Sequence, residues 1–154
     1  MEKKCAVIMI GIQGSGKSEY VRNNIPPEYV RISLDELNTR NRERLLVEQC
    51  FREGCSFVID NTNPTRMDRA RYILPARENG YTVIGIFMQS VIRDCVERNN
   101  QRFGKARIPS KAIAATSNRL ELPSYEEGFD ELYFVAIENG VFVKSEWRED
   151  DEVR

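Results

Sequence analysis

Short apolar runs recur along the chain, each separated from the next by a longer polar stretch. Cys5 to Ile10 is continuously apolar and stops at Gly11, the pattern of a central strand covered on both faces. Tyr29-Val-Arg-Ile32, Phe57-Val-Ile59, Thr82-Val-Ile-Gly-Ile-Phe-Met88 and Leu132-Tyr-Phe-Val-Ala-Ile137 repeat the theme, with enough polar chain before each for a crossover helix. Such alternation predicts a doubly wound α/β sheet. Ser33-Leu-Asp-Glu36 predicts a capping box at a helix start, and Asn63-Pro64 predicts an N-cap followed by proline at the first helical position. Ser90 and Ser110 are expected to cap two later helices. Glu138-Asn-Gly-Val141 lies between two strand-like runs, so Val141 to Val143 is expected to return antiparallel through a tight hairpin. Glu149-Asp-Asp-Glu152 has the look of a frayed acidic tail, spanning about residues 148–154.

Length and composition narrow the picture. With 154 residues, 41% of them hydrophobic, the chain is expected to form one domain over 1–154. Lys and Arg number 23 against 24 acids, so any nucleic-acid contact must come from a local patch and not from overall charge. Histidine is absent, which excludes His-based triads and imidazole general bases. Cys5, Cys50, Cys55 and Cys95 form no C-x-x-C pair and read as free, mostly buried thiols. No stretch reaches membrane-span length, and Met1-Glu-Lys-Lys-Cys runs directly into a strand-like segment, so the expectation is a cytoplasmic protein without a membrane partner.

The octapeptide Gly11-Ile-Gln-Gly-Ser-Gly-Lys-Ser18 matches G-x-x-x-x-G-K-[S/T] and lies between an apparent strand and the amphipathic segment Glu19 to Asn24. Glycines let the backbone curl so that successive amides and the positive end of a helix face phosphates. Gly11, Gln13, Gly14, Ser15, Gly16, Lys17 and Ser18 are therefore the expected nucleotide cradle, with Lys17 on the β and γ groups of ATP and Ser18 on Mg2+. The fold expected around it is the three-layer P-loop NTPase fold: a mostly parallel sheet of about five strands, helices on both faces and a C-terminal antiparallel hairpin strand. The Asn-Lys-x-Asp element of a GTPase is missing, which leaves the compact kinase class, where a substrate hydroxyl attacks the γ-phosphate.

Asp35 follows the expected second strand, where strand carboxyl ends border the substrate crevice, and suits a general base for an attacking hydroxyl. Asp60 ends the run Phe57-Val-Ile-Asp60 and suits a carboxylate acting on magnesium through water. Asn61 and Asn63, in the turn-forming run that follows, are candidate substrate contacts. From Arg93 to Arg119 there are seven basic residues, Arg93, Arg98, Arg102, Lys105, Arg107, Lys111 and Arg119, against Asp94 and Glu97 alone. Gly104 and Pro109 interrupt the helical pattern there, so 103–110 is expected to be a cationic lid, with Arg98 and Arg102 reaching the nucleotide phosphates.

Ile59-Asp-Asn-Thr-Asn-Pro64, Arg69-Ala-Arg-Tyr72, Arg98-Asn-Asn-Gln-Arg-Phe103, Ile108-Pro109 and Glu127-Gly-Phe129 together resemble the kinase domain of 5′-hydroxyl polynucleotide kinases, and look most like that of the animal DNA-repair enzymes. The resemblance covers nearly the whole chain. It implies four or five parallel strands, transfer of the ATP γ-phosphate to a 5′-hydroxyl, and magnesium dependence. It implies phosphate and metal roles for Lys17 and Ser18, the base at Asp35, an active-site carboxylate at Asp60 and the lid arginine at Arg102. The chain departs from the family where Ser33-Leu-Asp35 replaces Asn-Arg-Asp, and where Asn38 replaces an arginine of the phage enzyme. The Asp-x-Asp motif of the phosphatase often fused to such kinases is missing. Three readings stand: a kinase of DNA or RNA 5′ ends, a P-loop kinase of a sugar acid, nucleoside or antibiotic, and a non-catalytic ATP-binding module.

Overall fold

The computed structural model describes residues 3–149; the expected acidic tail from residue 150 onward lies outside them. Six strands form a single sheet in the order β2-β3-β1-β4-β5-β6. They are β1 (Cys5–Ile10), β2 (Val30–Ile32), β3 (Phe57–Ile59), β4 (Thr82–Met88), β5 (Glu131–Glu138) and β6 (Val141–Glu146). The first five run parallel, and only β6 is antiparallel, on β5. The helices are α1 (Lys17–Asn24), α2 (Leu34–Leu37), α3 (Arg40–Glu53), α4 (Arg66–Glu78), α5 (Ile92–Asn100) and α6 (Ser110–Arg119). This is the doubly wound, three-layer P-loop fold that the hydrophobic pattern predicts.

Alternation along β1 explains the layers. Ala6, Ile8 and Ile10 point to a core shared with Val47 and Cys50 of α3 and Tyr72, Ile73 and Ala76 of α4. Val7 and Met9 point the other way, onto Tyr20 and Val21 of α1. Every residue of β1 is buried, which is why the segment reads as a continuous apolar run. Asn139 and Gly140 both have positive φ, 52° and 76°, as the tight β5–β6 hairpin requires. β6 continues to Glu146, three residues beyond the expected Val143, because its outer face is exposed and carries no apolar signal.

The expected helix caps are corrected in four places. Ser33 sits before α2 but makes no side-chain cap bond. The cap of α4 is Thr65, in a capping box with Asp68, two residues after the expected Asn63. Ser90 accepts from the Ile12 amide and donates to the Met88 carbonyl, so Val91 precedes α5 without a side-chain cap. Ser110 is the first helical residue of α6, and Pro109 holds the cap position. At the end of the described chain, Glu149 is docked: its carboxylate accepts from the Ser124 hydroxyl (2.9 Å) and the Tyr125 amide (2.8 Å). Among the described residues no helix is long and apolar enough to cross a membrane.

Candidate active site

β1 and β3 are neighbours whose following connections leave in opposite directions, so their carboxyl ends flank the crevice of the sheet. The loop from Gly11 enters α1 here. Gly16, in the left-handed region at φ 95°, is the residue before the helix, and Lys17 and Ser18 form its first turn. Gly14 cannot be another residue: φ is 82°, and a Cβ would lie 2.3 Å from the Cys95 carbonyl oxygen of α5. Two residues expected to touch nucleotide brace the loop from behind. Arg98 donates to the Gly14 carbonyl (3.1 Å), and the Gln13 amide donates to the Thr116 hydroxyl of α6 (3.1 Å). Ser15 is buried, and the Gly11 amide donates to the Thr62 carbonyl (3.0 Å).

Lys17 is only 9% exposed, and its ammonium donates to the Ile12 carbonyl (2.9 Å) and the Ser15 hydroxyl (3.4 Å). Burial pulls its pKa down to about 8; Asp60, Cys95 and Asp35 oppose this, while the nearby Arg102 guanidinium adds to it. Lys17 therefore lies within electrostatic reach of both candidate carboxylates and of the lid arginine. Two cations within electrostatic reach of one another favour a polyanion between them.

Asp60, just past β3, is 5% exposed. Its Oδ2 accepts from the Ser18 hydroxyl (3.0 Å) and from Arg31 Nε (2.8 Å), while its buried Oδ1 has no hydrogen-bond partner among the described residues. A buried carboxylate oxygen left bare beside a hydroxyl suits a hydrated divalent cation, and Ser18 with Asp60 fits Mg2+ in that way. No cluster of three or more Asp, Glu, Cys or His side chains capable of caging a metal occurs among the described residues. Such an ion would rely on Ser18, water and phosphate oxygens.

Asp35 occupies the second position of α2, exposed to solvent. Asn38 ends this single turn in the left-handed conformation, φ 69°, which asparagine tolerates better than arginine. The asparagines after Asp60 serve the framework. Asn63 is 4% exposed, and its amide donates to the Met9 carbonyl (2.7 Å) at the end of β1. Asn61 accepts from the Leu34 amide at the start of α2 (2.9 Å) and donates to Glu43 (2.9 Å). The same loop is clamped from below by Arg69, fully buried, which donates to the Asn63 carbonyl (2.9 Å) and forms a two-pronged pair with Glu127 (2.8 and 3.1 Å).

Arg31, Arg40 and Glu43 are missed by sequence reasoning. Arg31 bridges Asp60, Glu36 and Ser18; its one signal is a charge inside the short run Val30-Arg31-Ile32. Arg40 and the buried Glu43 open α3, and nothing in a polar stretch marks Glu43 as interior. With Asn41, Arg44, Glu48 and Arg71 they border a groove of about 580 Å³ between α3 and α4, floored by Val47, Phe51, Tyr72 and Pro75, and Glu48 pairs with Arg44 (2.9 Å). On the other side of the loop, the Asn99 side chain fastens both backbone groups of Ile108 (2.5 and 2.8 Å), tying the segment between α5 and α6 to the end of α5.

Comparison with known proteins adds relatives and neighbours of the same fold. The chain is 36% identical over 142 residues to a protein of Acanthamoeba polyphaga mimivirus named as a bifunctional polynucleotide phosphatase/kinase, covering 88% of this chain and 34% of that one. It is 30% identical over 129 residues to the bifunctional polynucleotide phosphatase/kinase of Schizosaccharomyces pombe, covering 80% and 31% respectively. The chain thus spans about a third of the length of these relatives, and the resemblance to polynucleotide kinases read from its motifs is matched by their names. A sugar kinase from Janibacter sp. HTCC2649 has the same fold, with a TM-score of 0.66 at 17% identity over 88% of this chain and 86% of that one. The profile of the AAA domain matches residues 7–123, and the chain, with its P-loop at the head of that span, belongs to the AAA-domain family.

Proposed function

We propose that this domain is an ATP-dependent kinase that moves the γ-phosphate onto a 5′-hydroxyl end of DNA or RNA. The observation that carries this reading is the buried Lys17 at the head of α1, next to the Ser18–Asp60 hydrogen bond and within electrostatic reach of both Asp60 and Asp35. A phosphoryl group held at Lys17 would have Asp60 as its metal-side carboxylate and Asp35 as its acceptor-side one. The acceptor hydroxyl oxygen forms a bond to the γ-phosphorus, the bond to the β–γ bridging oxygen breaks, ADP leaves, and the hydroxyl proton passes to the Asp35 carboxylate. Ser18, and Asp60 through water, would hold Mg2+, which would supply charge neutralisation at the phosphate oxygens. Arg102 supplies a cation to the transferring group, and 103–110 acts as the lid that brings it in. Gln13, Gly14 and Arg98 keep the cradle in shape.

The polymer acceptor is favoured by the relatives' names and by the groove between α3 and α4. Arg40, Arg44 and Arg71 outnumber Glu43 and Glu48 on its border by one charge, and Phe51 and Tyr72 are aromatic residues of its lining, a combination a nucleic-acid strand can use. The sugar kinase of the same fold keeps a small-molecule acceptor as the second reading, since likeness at that identity speaks only for architecture.

An end-labelling assay with γ-labelled ATP decides between them. Oligonucleotides of DNA and RNA bearing 5′-hydroxyls are offered beside sugars, sugar acids, nucleosides and antibiotics. Label is expected on the oligonucleotides, with binding weakened by rising salt as phosphate contacts require. Asp35→Asn should lower transfer by at least about 10²-fold while leaving ATP affinity nearly unchanged. Label on small compounds alone would reject the polymer, and normal transfer by Asp35→Asn would reject the base.

A further inference from the structure

The candidate base is carried by a weak element. α2 is one turn long, exposed on Asp35 and Glu36, and its preceding Ser33 supplies no side-chain cap. Isolated turns of this length do not hold themselves, because one hydrogen bond does not offset the dihedrals it fixes. What holds the start of α2 comes from elsewhere: Asn61 Oδ1 accepts from the Leu34 amide (2.9 Å), the residue immediately before Asp35. Asn61 is itself the neighbour of Asp60, so one side chain links the metal-side carboxylate to the base.

The orientation of that amide is dictated by Glu43. This carboxylate is 2% exposed, and each of its oxygens is satisfied. Oε2 accepts from Asn61 Nδ2 (2.9 Å); Oε1 accepts from the Tyr72 hydroxyl (2.7 Å) and from Arg40 (3.1 Å). Arg40 also donates to the Tyr72 hydroxyl (2.9 Å), and Asn61 Nδ2 approaches that hydroxyl at 3.3 Å. A flipped Asn61 would set its carbonyl oxygen against the carboxylate and its NH2 against the Leu34 N–H. Both faces would then be repulsive inside a half-buried site, so the charge on Glu43 selects the one amide orientation that caps α2.

We infer that Glu43 and Asn61 form a buried relay that positions Asp35, with Glu43 acting through Asn61 and neither touching the acceptor. Displacing a reacting group by about 1 Å can cost on the order of 10²-fold in rate, and the relay removes that freedom. This also explains why Asn61, at a crevice edge where a substrate contact is expected, has its donors and its carbonyl already engaged.

The kinase reading above is needed only for one arm of the test. Asn61→Asp keeps an acceptor for the Leu34 amide but sets two carboxylates face to face; Glu43→Gln removes the charge that orients the amide. Combined, the two exchange polarity: the new carboxylate accepts from Leu34 and from the new amide at position 43. In the activity arm, Asn61→Asp and Asn61→Ala are expected to lower kcat for transfer by on the order of 10²-fold with KM for ATP changed less than about threefold. The Glu43→Gln/Asn61→Asp double variant is expected to recover most of that loss. In the activity-independent arm, hydrogen exchange in the segment 33–37 is expected to accelerate in Asn61→Ala and Asn61→Asp and to slow again in the double variant. A double variant no better than Asn61→Asp in exchange protection, or single variants with unchanged protection, overturns the relay. Protection lost and regained as expected, with no phosphate transfer by the unmodified chain, upholds the relay and rejects the kinase reading instead.

Discussion

Lys17 concentrates the chemistry of the site in one titration. Its ammonium is buried against the Ile12 carbonyl and the Ser15 hydroxyl, and burial lowers its pKa to about 8. A polyphosphate at the loop brings negative charge to the same atom and restores the protonated form. Binding of ATP is therefore expected to draw in a proton when the free protein has already lost it. At about pH 9, on the alkaline side of this titration, more than half a proton should be taken up, falling toward none near neutrality. Calorimetry in two buffers of different ionisation enthalpy measures that number directly. Absence of uptake at the alkaline pH would mean that the ammonium keeps its charge without nucleotide, against the burial seen here. Burial pushes the Cys95 thiol pKa up, while Lys17 and Arg98 nearby pull it the other way.

Among elements, the closest fit is between the phosphate loop and α5. Any side chain at Gly14 meets the Cys95 carbonyl at 2.3 Å, and backbone there cannot give way as a flexible side chain could. Gly14→Ala is expected to push α5 from the loop, with its Arg98 brace, and to cost about 1–3 kcal/mol of stability from strain alone. Denaturant unfolding should report that loss, and ATP affinity should fall at least about tenfold; unchanged values for both would show that α5 is free to move. The glycines of this loop were legible in the sequence because their spacing is dictated by local backbone geometry. Strand positions were legible for a similar reason, since β1 and β4 are buried on both faces and read as unbroken apolar runs. Helix starts were less so. Asn63 is drawn away from capping by the Met9 carbonyl and Ser90 by the Ile12 amide, both partners distant in sequence. Glu43 was invisible for the same cause: only the meeting of α3, α4 and the loop after β3 shows that an acid in a polar stretch is interior.

For the molecule as a whole, the site is a junction where folding stability and ligand binding pull in opposite directions. Residues from β2, α1, α2, the loop after β3 and the segment after α5 converge on Lys17, Asp60 and Asp35, so a bound nucleotide ties together elements distant in the chain. In its absence, the folded value of the Lys17 pKa lies below its unfolded value. The unfolded chain then holds more protons between about pH 8 and 10.5, so this penalty is complete below pH 8 and is relieved as pH rises to 10.5. At neutral pH it amounts to about 3 kcal/mol against the fold. Lys17→Met removes the charge but keeps the apolar stem, and should leave the nucleotide-free protein at least as stable as the original. With ATP and Mg2+ at about a hundred times the dissociation constant, the original chain should gain about 2.7 kcal/mol, or about 5–10 °C in Tm for a domain of this size. Lys17→Met should show little of that gain. Thermal melts of the two proteins with and without nucleotide test both signs together. A variant less stable than the original when free would mean that Lys17 contributes to the fold through its bonds to Ile12 and Ser15, and is not held there at a cost for the sake of phosphate.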